Sequence, residues 1–114
     1  MPQQHALVYL MHMRDCCEHI LEYTTSGKQA SVSDPMVLDA VCRNLEILGE
    51  AAKRMDPEFR SAHPEIPWRK MAGARDILIH VYEETDPEIV WDIVEKDIPA
   101  LLTELRRLLG EATR

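Results

Sequence analysis

The residues best equipped for chemistry fall within one short stretch, ARDILIHVYEE at 74–84, which carries Arg75, Asp76, His80 and Tyr82 among Ile77, Leu78, Ile79 and Val81. An imidazole titrates near neutral pH, so it can take a proton from a ribose 2′-hydroxyl or give one to a leaving 5′-oxygen. A guanidinium grips phosphate and offsets charge that develops on its equatorial oxygens. The combination suits RNA cleavage by internal transesterification without a metal. Asp76 and His80 are four apart, so on a helix the carboxylate can accept a bond from one ring nitrogen, fixing the tautomer and favouring the charged imidazole.

Helical geometry constrains how these groups meet. At about 100° per residue, Met71, Ala74, Ile77, Leu78 and Val81 share one arc that must face a core, Arg75 and Tyr82 lie at its border, and His80 points away from it. Arg75 and His80 are then about 140° apart, too far for one straight helix to aim both at a small target. A two-fold homodimer solves this by letting two Arg/His sets line one cleft, with Ile79 as an interface residue. On residue types alone, a surface salt-bridge pair remains the alternative, because an arginine and a histidine five apart occur in many helices.

Prolines punctuate the elements that would position this stretch, since proline is tolerated in a first helical turn and breaks an interior one. SDP at 33–35, DPEF at 56–59, IPW at 66–68 and TDPE at 85–88 read as helix starts, with Asp34 and Asp86 as N-caps. The spacing predicts a helix over about 4–25, a loop through SGKQASVSD, a helix over about 35–55 and a short helical turn near 57–62. A helix over about 67–83 follows, and a last one runs from Pro87 to about Gly110 with a kink or restart near Pro99. Val37, Val41, Leu45, Leu48 and Ala52 form an apolar stripe on the second long helix. Ile89, Ile93, Leu101, Leu105 and Leu108 do so on the last, with Trp91 and Val94 alongside. No segment alternates like a strand. The expectation is an all-α, up-and-down bundle of four to five helices forming one domain over 1–114.

The 114 residues carry a net charge of -7 and 46% hydrophobic residues, ordinary for a globular chain, with no apolar run long enough for a bilayer. The first thirty residues have neither a basic leader nor a small-residue cleavage site, so the expected location is the cytoplasm. Cys16, Cys17 and Cys42 lack paired-ligand spacing and are expected to be free thiols. Acidity argues against a nucleic-acid partner, but its distribution matters. Residues 1–42 sum to -3 (2 basic, 5 acidic), 43–75 to +2 (7 and 5) and 76–114 to -6 (4 and 10), so only the middle third is positive, and it ends on Arg75.

Other constellations carry less. His12, Cys16 and His19 would share a helix face, yet three ligands over two turns need a fourth from elsewhere, and a polar face is the preferred reading, with no metal and no cofactor expected. Arg43, Glu46 and Glu50 read as surface pairs, Asn44 as a buried hydrogen-bonding residue, and Trp68 and Trp91 as core anchors.

The order Arg75, four residues, His80, one residue, Tyr82 resembles the signature of HepT-like proteins of the HEPN superfamily. The similarity extends through VCRNLEILGEAAK at 41–53, HPEIPWRKMAGARD at 63–76 and VWDIVEKDIPAL at 90–101. The resemblance implies an HEPN-like helical homodimer with a metal-independent endoribonuclease site in the dimer cleft, acting as the toxin of a toxin–antitoxin pair. It implies an RNA substrate and a partner, a minimal nucleotidyltransferase antitoxin of the MntA type. Arg75 would be the phosphate clamp, His80 the general acid or base, Asp76 the group that orients it, and Tyr82 the target of AMPylation that silences the toxin. Many such proteins follow the tyrosine with Phe-Gly, whereas Glu83 and Glu84 stand here. Those carboxylates beside an RNA site favour the alternative of a non-enzymatic dimeric subunit that binds a nucleotide or presents Tyr82 to the transferase.

Overall fold

Three Asp-Pro steps start helices as expected. In the computed structural model, which describes residues 4–74, 78 and 86–110, the side chains of Asp34, Asp56 and Asp86 each accept a hydrogen bond from the backbone N–H two residues on, at 2.9, 2.8 and 3.1 Å. Each cap satisfies a donor that the first turn leaves without a partner, and the following proline contributes no N–H to satisfy. The resulting elements are α1 (Gln4–Tyr23), α2 (Lys28–Val32), α3 (Pro35–Arg54), α4 (Pro57–Ala62), α5 (68–74), α6 (Pro87–Asp92), a π-helical turn (Ile93–Asp97) and α7 (Ile98–Leu108). Among the described residues there is no strand, and the all-α class stands.

α1 is the central element, packed against α3 on one side and α7 on the other. Ala6, Leu10, Met13, Cys17 and Ile20 step along it by four and three, and all are buried, as that periodicity requires of a helix with one inward face. They meet Leu45, Leu48 and Ala52 of α3 and Ile98, Leu101 and Leu105 of α7 in one core. The expected α3 stripe is thus in place, with Val37 at its half-buried end. Trp68 is buried and Trp91 packs half-buried against the same core. No helix among the described residues is long and apolar enough to cross a membrane.

Two expectations need correction. The segment expected to be a loop after α1 contains α2. Gly27, at φ 93°, makes the turn that a side chain would resist, and the Ser31 and Ser33 hydroxyls donate to the carbonyls of Gly27 (2.7 Å) and Gln29 (2.6 Å). Local hydrogen bonds therefore hold a single turn that has no apolar periodicity. In α6 the buried residue is Val90, while Ile89 is 42% exposed, so Ile89 falls off the predicted stripe that Ile93, Leu101 and Leu105 keep. Val90 stands three residues before Ile93 and four before Val94 and so shares a face with both, whereas Ile89 aligns with Ile93 alone; a π-helical turn follows. Ile98 N–H donates to Ile93 O, five residues back, so one extra residue enters the turn just ahead of Pro99. Burial then passes from Val90, Ile93 and Val94 to Ile98, Leu101, Leu102 and Leu105.

The three cysteines are free, as expected, and the fold buries them. Burial holds their thiols protonated: Cys16 and Cys42 are each pushed up to about 11, and Cys17 is raised as well.

Candidate functional site

Arg75, Asp76, His80 and Tyr82 lie outside the described residues, as do Ile77, Ile79, Val81, Glu83 and Glu84. What is on view is the platform that leads to them. Met71, Ala74 and Leu78 are all buried, 1–2% exposed, so the inward arc expected of this helix is occupied at every position described.

Four contacts fix α5. The Trp68 indole N–H donates to the carbonyl of His63 at 2.9 Å, closing the loop that enters the helix, and Phe59 meets Trp68 edge-on at 6.1 Å. Lys70 Nζ reaches Asp97 in the π-helical turn at 2.9 Å. The fourth contact is backbone to backbone. A Cβ placed on Gly49 of α3 would stand 2.8 Å from the Met71 carbonyl oxygen, inside any normal contact, so α3 and α5 approach more closely than a side chain at 49 permits. Glycine inside a helix is disfavoured by about 1 kcal/mol relative to alanine, and here the close approach is what it permits. The loop is further anchored by Glu65, whose carboxylate takes bonds from His63 (3.1 Å) and Arg107 (2.7 Å). Its own backbone N–H, then His63 and Arg107, hold its pKa below the ordinary carboxylate value.

A second feature is a groove of about 450 Å³ between α1 and α3, where Tyr9 and His12 face Arg43, Glu46, Glu50 and Arg54. Arg43 pairs with Glu46 at 3.5 Å and Arg54 with Glu50 at 3.0 Å. Both pairs are solvent-exposed and worth little to stability, but they leave the groove charge-balanced and rich in hydrogen-bonding groups. The histidines and cysteine that share a face of α1 by spacing are put to separate uses. His12 lines this groove, Cys16 is in the core, and the His19 ring lies 3.3 Å from Asn44 Oδ1, while Asn44 Nδ2 donates to Ala40 O at 2.9 Å. Asn44 is thus the buried hydrogen-bonding residue expected of it. Among the described residues no cluster of three or more His, Cys, Asp or Glu side chains is arranged to hold a metal ion.

The ribonuclease HepT-like family matches residues 13–108. The chain belongs to the HepT-like family. This HepT-like chain is 38% identical over 102 residues to a protein of Caldanaerobacter subterraneus subsp. tengcongensis provisionally named an RNase, covering 89% of this chain and 91% of that one. It is 41% identical over 101 residues to a ribonuclease HepT, so named as probable, of Thermococcus cleftensis, with 88% and 92% covered. A longer Methanocaldococcus jannaschii protein, named a gamma-glutamylcyclotransferase and provisionally an RNase, is 39% identical over 105 residues. There the alignment covers 91% of this chain and 47% of the other. No solved structure matches. The HepT-like match takes in Gly49, the whole of α5 and the Arg75–Tyr82 stretch, but leaves Tyr9 and His12 of the α1–α3 groove outside it. Gly49 escaped the reading of the sequence. Its signal was available, a lone glycine inside a strongly periodic helix.

Proposed function

We propose that this HepT-like protein is a metal-independent endoribonuclease that cleaves RNA by internal transesterification. Arg75 grips the scissile phosphate, and His80 transfers the proton at the 2′- or 5′-oxygen. Asp76 orients the imidazole. Family membership together with the intact Arg75/His80/Tyr82 spacing carries this reading. The α5 platform supports it, because four separate contacts hold the segment immediately preceding Arg75, and catalysis of this kind depends on pre-set geometry. The protein acts as a homodimer in which two Arg/His sets share a cleft, and as the toxin of a toxin–antitoxin pair whose partner is an MntA-type nucleotidyltransferase. That partner attaches AMP to Tyr82, adding bulk and negative charge beside Arg75 and repelling RNA.

Incubation of purified protein with RNA and EDTA, wild type beside His80→Ala, tests the activity. Cleavage that survives chelation and disappears in the variant is expected, and cleavage equal in both removes His80 from the mechanism. A second reading, a non-enzymatic dimeric partner of the transferase, draws on the net charge of -7 and on Glu83/Glu84; it predicts no cleavage in either sample. Mass spectrometry after mixing with the cognate transferase and ATP is expected to show one added AMP on the peptide containing Tyr82. An unmodified peptide eliminates the regulatory step.

A further inference from the structure

Beside the α5 platform lies an open groove of about 860 Å³ whose charged lining is wholly basic: Arg60 from α4, and Arg69 and Lys70 from α5. Pro57, Pro64 and Pro67 give it stiff walls. Lys70 is answered by Asp97 at 2.9 Å, but among the described residues neither Arg60 nor Arg69 has an ion-pair partner. On a molecule of net charge -7, where nearly all other described cations are held by carboxylates, two unanswered guanidiniums in one groove make a local field of opposite sign to the whole. The groove is too open to enclose a small ligand. Its lining reaches Ala72, three residues before Arg75 in the chain.

We propose that this groove binds the phosphate backbone of a single-stranded RNA and leads the strand to the Arg75/His80 site, a role that rests on the ribonuclease reading above. The contact is to phosphate and not to base. Trp68, the one aromatic side chain in the lining, is 7% exposed with its indole N–H committed to His63 O, so it offers no stacking face. Binding there is therefore sequence-independent and salt-dependent, because each phosphate neutralised by an arginine releases counterions.

The test is a fluorescence anisotropy titration of the full chain with an end-labelled single-stranded RNA of about 20 nucleotides, 2′-O-methylated so that it cannot be cut, at several KCl concentrations. The proteins are wild type, Arg60→Ala/Arg69→Ala, and Lys28→Ala as a control far along the chain, all checked for equal thermal melting. The double variant is expected to bind roughly tenfold more weakly at low salt, with the slope of log Kd against log[KCl] reduced by about 1.4, or about 0.7 for each lost phosphate contact. Oligo(A) and oligo(U) should be affected alike. Lys28→Ala should match wild type. Unchanged affinity and slope in the double variant overturn the proposal, as does failure of wild type to bind the RNA. Retention of RNA binding with loss of binding to the nucleotidyltransferase also overturns it, assigning the groove to a protein partner. The ribonuclease reading fails separately. Cleavage of a dinucleoside monophosphate, too short to occupy the groove, should be equal in wild type and the double variant. Absence of all cleavage with RNA binding intact removes the catalytic reading and leaves the groove standing.

Discussion

Replacing Gly49 with alanine isolates the contact on which the position of α5 depends. Two terms oppose one another. Alanine is the better helix former by about 1 kcal/mol. Against this, its Cβ would lie 2.8 Å from the Met71 carbonyl oxygen, and an ordinary separation of 3.4 Å requires the helices to part by about 0.6 Å. A backbone carbonyl cannot turn aside as a flexible side chain can, and overpacking of this kind costs about 1–3 kcal/mol. The net expectation is a loss of about 1 kcal/mol, a fall in Tm of about 4 °C for a domain of this size. Gly73→Ala is the matched control, since a Cβ there meets nothing within 4 Å. It carries only the propensity gain and should raise Tm by a few degrees. Under the ribonuclease reading, a shift of about 0.6 Å in the helix that leads to Arg75 should also lower kcat/KM by about tenfold, given that a 1 Å misplacement costs on the order of a hundredfold. Thermal melting and RNA cleavage by the three proteins in parallel decide the matter. A Gly49→Ala protein that melts at or above wild type, or that shifts together with Gly73→Ala, refutes the close-approach argument.

Further expectations follow from the caps, the thiols and the core. Asp34→Ala removes the acceptor for Met36 N–H and should destabilise by about 1 kcal/mol, read by urea denaturation, with Asp34→Ser close to wild type. Cys16 and Cys42 titrate near 11 when folded against an ordinary 9.0, so the folded state retains protons that the unfolded chain releases. Their contribution is present below pH 9 and is lost as pH rises toward 11, and Cys42→Ala should flatten that fall in stability measured across pH 8–11. Native protein should likewise resist thiol labelling at neutral pH at all three cysteines until denaturant is added. Leu45→Ala, at a fully buried position between α1 and α3, should cost about 2–5 kcal/mol by chemical denaturation.

Much of the architecture is legible in local patterns, and its exceptions have physical causes. α3 reads directly because Asp34-Pro35 marks its start and Val41, Leu45, Leu48 and Ala52 mark its inner face. α2 does not, because five residues held by serine hydroxyls and a positive-φ glycine leave no periodicity to detect. Pro99 announces an interruption in the last helix but not how the chain resolves it. Whether Ile89 or Val90 faces inward depends on the phase that the core accepts, a property of α1 and α3 as much as of α6. At the site, Arg75, His80 and Tyr82 are identifiable by type and spacing, although they fall outside the described residues. The tolerance Gly49 provides is not legible in the same way, because its partner Met71 is twenty-two positions later and acts through its backbone rather than its side chain. The basic groove is foreshadowed by the positive middle third, but only the fold separates Arg60 and Arg69 from the neighbouring cations that carboxylates neutralise.

The five-residue turn at 93–97 also sets which length changes the chain's last helix can absorb. Deleting one residue there would restore ordinary winding and leave Leu101 and Leu105 facing inward, because five residues of a π-helical turn sweep about the angle that four sweep in an α-helix, whereas deleting one within α7 would rotate everything beyond it by about 100°. In a deletion scan, the stretch ahead of Pro99 should therefore behave as a spare link whose loss is absorbed, as is trimming of the exposed tip at Thr25–Ser26, while a deletion early in α7 carries Leu105 out to water.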